Sequence, residues 1–257
     1  MAIVKDFYAD KLRVRLFDTR AAMGACAGAD AAAAIKEELA KKDTINLMVV
    51  AAPSQNEVLA ALVSDTEIEW ERINVFQLDE YAGLDASHSF SCLNFLKKAI
   101  FDVKPFRTVN IINGNAADYE AEAERYAKVL AENPLDVLVY GIGENGHLGF
   151  NDPPVADFDD PVMAKAVELE LPCRMQQVHD GNFATLDEVP THAYTITISA
   201  LMKASHKFCV VPGATKAEAM EKLVKGPIAT SCPASIMRNF EGAQLYGDVD
   251  SGKALLD

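Results

Sequence analysis

The chain has 257 residues, half of them apolar and 24% charged, the composition of a soluble globular protein. Its formal net charge of −14 argues against general nucleic-acid affinity, although local amides and one lysine can still hold a small anion. No apolar run reaches ~20 residues, so no membrane span is expected.

Charges interrupt each apolar stretch of residues 1–17, which therefore lack the core of a signal peptide. Cys26, Cys92, Cys173, Cys209 and Cys232 are odd in number and form no CxxC pair. They read as reduced thiols of a cytoplasmic protein.

Residues 12–16 suggest a first strand. Residues 19–42 read as a long helix, rich in alanine and closing on KEELAKK. The run 45–51 (INLMVVA) has the continuous apolar character of a strand buried on both faces. Pro53, Ser54 and Asn56 then signal a helix start before 57–62.

A second apolar strand, 73–78 (INVFQL), ends in Asp79-Glu80-Tyr81. A helix over 91–101, a strand over 108–112 and a helix over 116–132 follow. Residues 135–140 (LDVLVY) form another buried strand, broken by Gly141, Gly143 and Gly146 and followed by His147 and Asn151-Asp152-Pro153-Pro154. The stretch 151–189 has poor periodicity and four prolines, at 153, 154, 161 and 172, so about 155–188 is expected to be a lid. Strands at 192–199, 207–211 and 244–247, with helices at 200–205 and 214–224, complete the chain.

Strands alternating with helices imply one α/β domain over 1–257, a mostly parallel sheet with helices on both faces. Ligands in such sheets bind beyond the carboxyl ends of the strands. Those ends carry Ser54 and Gln55, Asp79, the glycines with Asn145, His147 and Asp152, and Thr215 with Lys216. Two helix starts, at Ser54 and at Thr215-Lys216, can hold a phosphate, and Asp79 and His147 offer acid–base groups beside it. Each residue also has an ordinary reading: Ser54 as a helix cap, Asp79 as a turn residue, His147 as a satisfied structural side chain.

Residues 141–146 (GIGENG) also match GxGxxG, the dinucleotide-binding turn. That turn needs a helix directly after it, and the Asn-Asp-Pro-Pro stop comes too soon. A metal site of Asp79, His147 and Asp152 lacks ligand-pair spacing, so neither metal nor redox cofactor is expected.

At these residues the sequence resembles the glucosamine-6-phosphate deaminase (isomerase) family. The matching pieces are LDEYAGL at 78–84, GIGENGHLGFNDP at 141–153, VPTHAYTITISALM at 189–202, PGATKAEAM at 212–220 and CPAS at 232–235. The related 6-phosphogluconolactonases share the fold and a GxGxDGH turn, but typically lack the DEY-G and GFN-acid features.

The resemblance implies a modified Rossmann-like fold, no cofactor, and conversion of glucosamine 6-phosphate, or galactosamine 6-phosphate, to a ketose 6-phosphate and ammonia. It implies Asp79 as the base that moves a proton between C2 and C1. His147 would assist ring opening, oriented by Asp152 and Asn145. Ser54, Gln55, Gly143, Lys216 and the lid arginine Arg174 would hold the substrate and its phosphate. A homo-oligomer is also expected, with the alanine-rich first helix either at an interface or packed inside.

Two departures stand out. Residues 51–55 (AAPSQ) lack the glycines usual in the family's phosphate loop, and Asp152 replaces the usual glutamate. Two other readings remain: a lactonase-like hydrolase, and a non-catalytic sugar-phosphate-binding regulator.

Overall fold

In the computed structural model, residues 2–179 and 181–256 are described. The chain opens with a hairpin of β1 (Ile3–Ala9) and β2 (Leu12–Phe17), then α1 (Arg20–Leu39) and β3 (Ile45–Val49). A 3-10 turn, Pro53–Gln55, leads into α2 (Asn56–Ser64), followed by β4 (Ile73–Gln77) and β5 (Asp79–Tyr81). Next come α3 (Cys92–Leu96) with a π-helical extension (Lys97–Phe101), β6 (Thr108–Asn110), α4 (Tyr119–Glu132) and β7 (Val137–Tyr140). The last third holds β8 (Ala164–Glu168), α5 (Leu171–His179), β9 (His192–Ile196), α6 (Ile198–Leu201), β10 (His206–Val211), α7 (Ala217–Lys225) and β11 (Ala243–Asp248).

The main sheet has the order β1-β2-β11-β10-β7-β3-β4-β6. Every pairing in it is parallel except β1 with β2. The crossovers run one way from β3 to β4 and β6, and the other way from β7 to β10 and β11. The direction therefore reverses between β3 and β7, the crevice where such sheets take ligands.

Alternation along the strands builds two cores. Leu47, Val49, Val75, Val137 and Val139 point to one face and meet α1, α2 and α3. Met48, Phe76, Leu138 and Tyr140 point to the other and meet α4, α6 and α7. Both faces are covered, which is why these strands read as unbroken apolar runs.

Thr19 caps α1, its hydroxyl accepting the Ala22 N–H at 3.2 Å. The helix is packed inside: Met23, Ala27, Ala31 and Ile35 are fully or almost fully buried. It also lies very close to α2. A methyl group at Gly28 would stand 2.4 Å from Cβ of Ala61, so residue 28 has no room for a side chain.

Three expectations need correction. A first strand, β1, precedes β2; as an edge strand it leaves Ile3, Val4 and Tyr8 exposed, and its pattern is too polar to stand out. The stretch 151–189 is more ordered than its periodicity suggests, containing β8 and α5. The strand at 192–196 does not join the main sheet. It is the centre of a second, antiparallel sheet, β5-β9-β8. Among the described residues no helix is long and apolar enough to cross a membrane.

Candidate active site

The carboxyl ends of β3, β4, β7 and β10 meet around a cavity of about 310 Å³, a size suited to a small ligand. Ser54, Asp79, Gly143, His147 and Lys216 all line it, each delivered by a different strand end save the two from β7.

The turn after β7 presents His147. Gly146 takes φ +83°, its N–H bonds to the Gly143 carbonyl at 3.1 Å, and the Gly143 N–H bonds to the His147 carbonyl at 3.0 Å. The Gly143 Cα lies against the imidazole itself. Asn145 serves two partners: its Oδ1 accepts the His147 N–H at 3.0 Å, and its Nδ2 donates to Asp152 Oδ1 at 2.8 Å. Nδ1 of His147 stands 3.1 Å from the same Asp152 oxygen. Oδ2 of Asp152 is buried without a hydrogen-bond partner among the described residues. Burial tends to raise the Asp152 pKa, but His147, Asn145 and Cys173 outweigh it and hold the carboxyl below its ordinary value.

Distant segments brace this turn. Asn151, fully buried, donates to the carbonyls of Leu148 and Ile196 at 2.8 Å, tying the turn to β9. Ala234 of the CPAS motif donates its N–H to the Gly146 carbonyl at 2.8 Å. No helix follows the glycines directly, so the dinucleotide reading of GIGENG finds no support in the backbone; 141–151 is a closed turn, with Leu148 bridging Asn151.

Asp79 sits where the chain leaves the main sheet for the second one. It pairs with Thr195 of β9, and its Oδ1 is buried without a hydrogen-bond partner among the described residues. Burial, then the neighbouring Glu80 charge, push its pKa up to about 8, against a small lowering by the Cys92 thiol. Glu80, which sequence reasoning left without a role, is a structural carboxylate. It accepts N–H groups of Tyr81, Cys92 and Leu93 and the Gln77 amide, at 2.8–3.0 Å, pinning β5 to the start of α3. Cys92, also unforeseen, lines the cavity beside Asp79.

At the opposite end, the glycine-free 51–55 loop finds its close approach elsewhere. Gly141 lies under it, where a methyl group would stand 2.8 Å from the Gln55 amide nitrogen and 3.3 Å from Ser54 Oγ. Gln55 is not brought to the cavity. It is fully buried and donates to Ser54 Oγ at 3.0 Å and to the Val210 carbonyl at 3.2 Å, locking the loop to β10. The turn 213–216 is steered from β11, because both Asp248 carboxylate oxygens accept the Gly213 N–H at 3.1 Å.

Arg174 is likewise not brought to the cavity. Its guanidinium donates to the carbonyls of Leu186 and Val189 at 2.8 and 2.9 Å, and so fastens its own segment. The arginine that does line the cavity is Arg20, which bonds Glu57 at 2.7 Å and the Pro53 carbonyl at 2.5 Å. A signal for it existed in the sequence. A cation in the first turn of a helix opposes the helix dipole, and that misplacement calls for another purpose.

Gln176 and Gln177 of α5, with Asn182, close one side of the cavity. Gln176 Oε1 accepts the Glu144 N–H at 2.9 Å, so α5 is tied to the turn that carries His147. Of the described residues, only His147, Asp152 and Cys173 gather with spacing that suits a metal ion.

The family model for glucosamine-6-phosphate isomerases/6-phosphogluconolactonase matches residues 18–150. The chain belongs to this family. A glucosamine-6-phosphate deaminase of Listeria monocytogenes serovar 1/2a is 33% identical over 229 residues, 89% of this chain and 96% of the relative. One from Bacillus cereus strain B4264 is 32% identical over 223 residues, 87% and 83% of the two chains. Among solved structures, a monomeric glucosamine-6-phosphate deaminase superposes with TM-score 0.83 at 28% identity, covering 95% of this chain and 99% of that one. The 6-phosphogluconolactonase of Trypanosoma brucei, at 15% identity, TM-score 0.77 and coverage of 94% and 98%, shares the fold.

Proposed function

We propose that this family member converts glucosamine 6-phosphate, with water, to the ketose 6-phosphate and ammonia. The observation that carries the reading is that Asp79 and His147 share one cavity with Ser54, Arg20 and Lys216. A carboxyl for proton transfer, an imidazole for the ring, and cations for phosphate thus face one bound sugar.

His147, with Nδ1 toward Asp152, presents Nε2 to the ring oxygen and helps open the pyranose. Asp79 then takes the C2 proton of the open chain and returns it at C1, on the same face of the enolamine. The resulting C2 imine adds water and releases ammonia, leaving the ketone. In the empty site Asp79 holds its proton at pH 7; the substrate's ammonium group, arriving beside it, favours the carboxylate. Ser54, the turn 213–216 and the two cations take the phosphate, with segment 155–188 acting as the lid.

Incubation with glucosamine 6-phosphate, and separately galactosamine 6-phosphate, should yield equal amounts of ammonia and ketose phosphate from at least one. Folded protein that yields neither would end this reading. Consumption of 6-phosphogluconolactone without ammonia would favour the lactonase instead.

A further inference from the structure

Cys173 has no part in the chemistry above, yet it lies against it. Its Sγ, one nitrogen of His147 and one carboxylate oxygen of Asp152 all fall within 4.8 Å of one another, and all three residues are buried. Two atoms of the cluster, His147 Nδ1 and Asp152 Oδ2, are buried without a hydrogen-bond partner among the described residues. Unpartnered buried polar atoms are costly, and a nitrogen, an oxygen and a sulfur within 4.8 Å of one another make the donor set of a thiophilic cation. A second hollow, lined by Glu144, Asn145, Cys173, Gln176, Glu218 and Lys222, gives the thiol its own approach.

We propose that Cys173, His147 and Asp152 form a binding site for Zn²⁺, and that the ion switches the active site off. Ligand atoms around tetrahedral zinc stand about 3.6 Å apart, within small side-chain movements of this cluster, and three protein ligands leave a fourth position for water. A thiolate and a carboxylate neutralise the dication, which suits a buried site. Mg²⁺ and Ca²⁺ are disfavoured, because they require several oxygens and avoid sulfur.

Binding releases one proton, that of the thiol; the imidazole stays neutral, its proton passing from Nδ1 to Nε2. His147 is then held by the ion rather than by Asp152. The inhibitory part rests on the deaminase reading, but the binding part does not.

Co²⁺ is the probe. Titrated into the intact chain, it should saturate at one ion per chain with a thiolate-to-cobalt charge-transfer band, and Zn²⁺ should displace it. Cys173→Ser and Cys173→Ala, checked for fold by circular dichroism, should lose the band and bind Zn²⁺ about 100-fold more weakly, the upper end of what even outer-shell changes cost. Absence of the band in the wild-type chain overturns the site, and so does a band that survives in either folded variant. The readout is absorption, so failure here and failure to release ammonia are separate results.

Discussion

Gly143 and His147 are packed backbone against ring. A methyl group at residue 143 would stand 2.1 Å from Cε1, 2.2 Å from Nδ1 and 2.3 Å from Nε2 of the imidazole. The glycine thus fixes where the ring lies. Gly143→Ala should displace the imidazole while leaving the fold in place, and lower kcat by about 100-fold, a loss that a displacement near ~1 Å can cause. Steady-state ammonia release alongside thermal melting checks this: a large kcat loss with a small change in Tm is the expected pair.

Asp79 should set the pH dependence of both rate and stability. Its carboxyl is raised from 3.8 to about 8, so kcat/KM should climb through pH 8 and level off above it. For stability the sign is the reverse. Between about pH 4 and pH 8 the native chain keeps a proton that the unfolded chain has lost, so this group's contribution is full below pH 4 and declines as pH rises to 8. Asp79→Asn cannot ionise. It should be inactive, and its melting temperature should match wild type near pH 4, exceed it increasingly up to about pH 8 and keep a constant margin above that.

The two arginines should separate cleanly. Arg20 lines the cavity and Arg174 is bonded to Leu186 and Val189. Arg20→Ala removes a charge-assisted contact of ~1.5–3 kcal/mol and should raise KM for the sugar phosphate by about 10-fold or more. Arg174→Ala should change KM less than Arg20→Ala does, and should make the 186–189 backbone more open to limited proteolysis.

Gly28 makes a stability test away from the site. Gly28→Val drives into Ala61 across the α1–α2 contact, where even the first carbon would be 2.4 Å away. Overpacking of this kind costs about 1–3 kcal/mol. Calorimetry should show a lower Tm, and Ala61→Gly in the same chain should restore part of it.

What the sequence shows depends on how each element is buried. β3, β4, β7 and β10 are covered on both faces and appear as apolar runs, so the α/β architecture is legible from them. β1 is an edge strand with one wet face, and Lys5 and Asp6 within it obscure the pattern. β8 and α5 are short, and α5 opens on Leu171-Pro172 with both residues exposed, so no periodicity accumulates.

The same logic applies to the site. Asp79, His147, Ser54 and Lys216 follow strand ends, so their position in the chain points to their position in space. Gln55 follows Ser54 but turns inward on the 3-10 turn, which adjacency cannot foretell. Arg174 stands out by its place in the lid, but its side chain reaches the Leu186 and Val189 carbonyls, while Arg20, at the start of α1, lines the cavity; position along the chain does not show where a long side chain ends.

Leu78 links the two sheets through one residue. Its N–H donates to the Val49 carbonyl of the main sheet at 3.2 Å, and its carbonyl accepts the Ile196 N–H beside the second sheet at 3.3 Å. Asp79 is the next residue. Because strand side chains alternate, adding or removing a single residue between Gln77 and Tyr81 would turn Asp79 away from the cavity and bring an apolar or structural neighbour in its place. For Asp79 to face the cavity, the spacing from Gln77 to Tyr81 has to be kept to the residue.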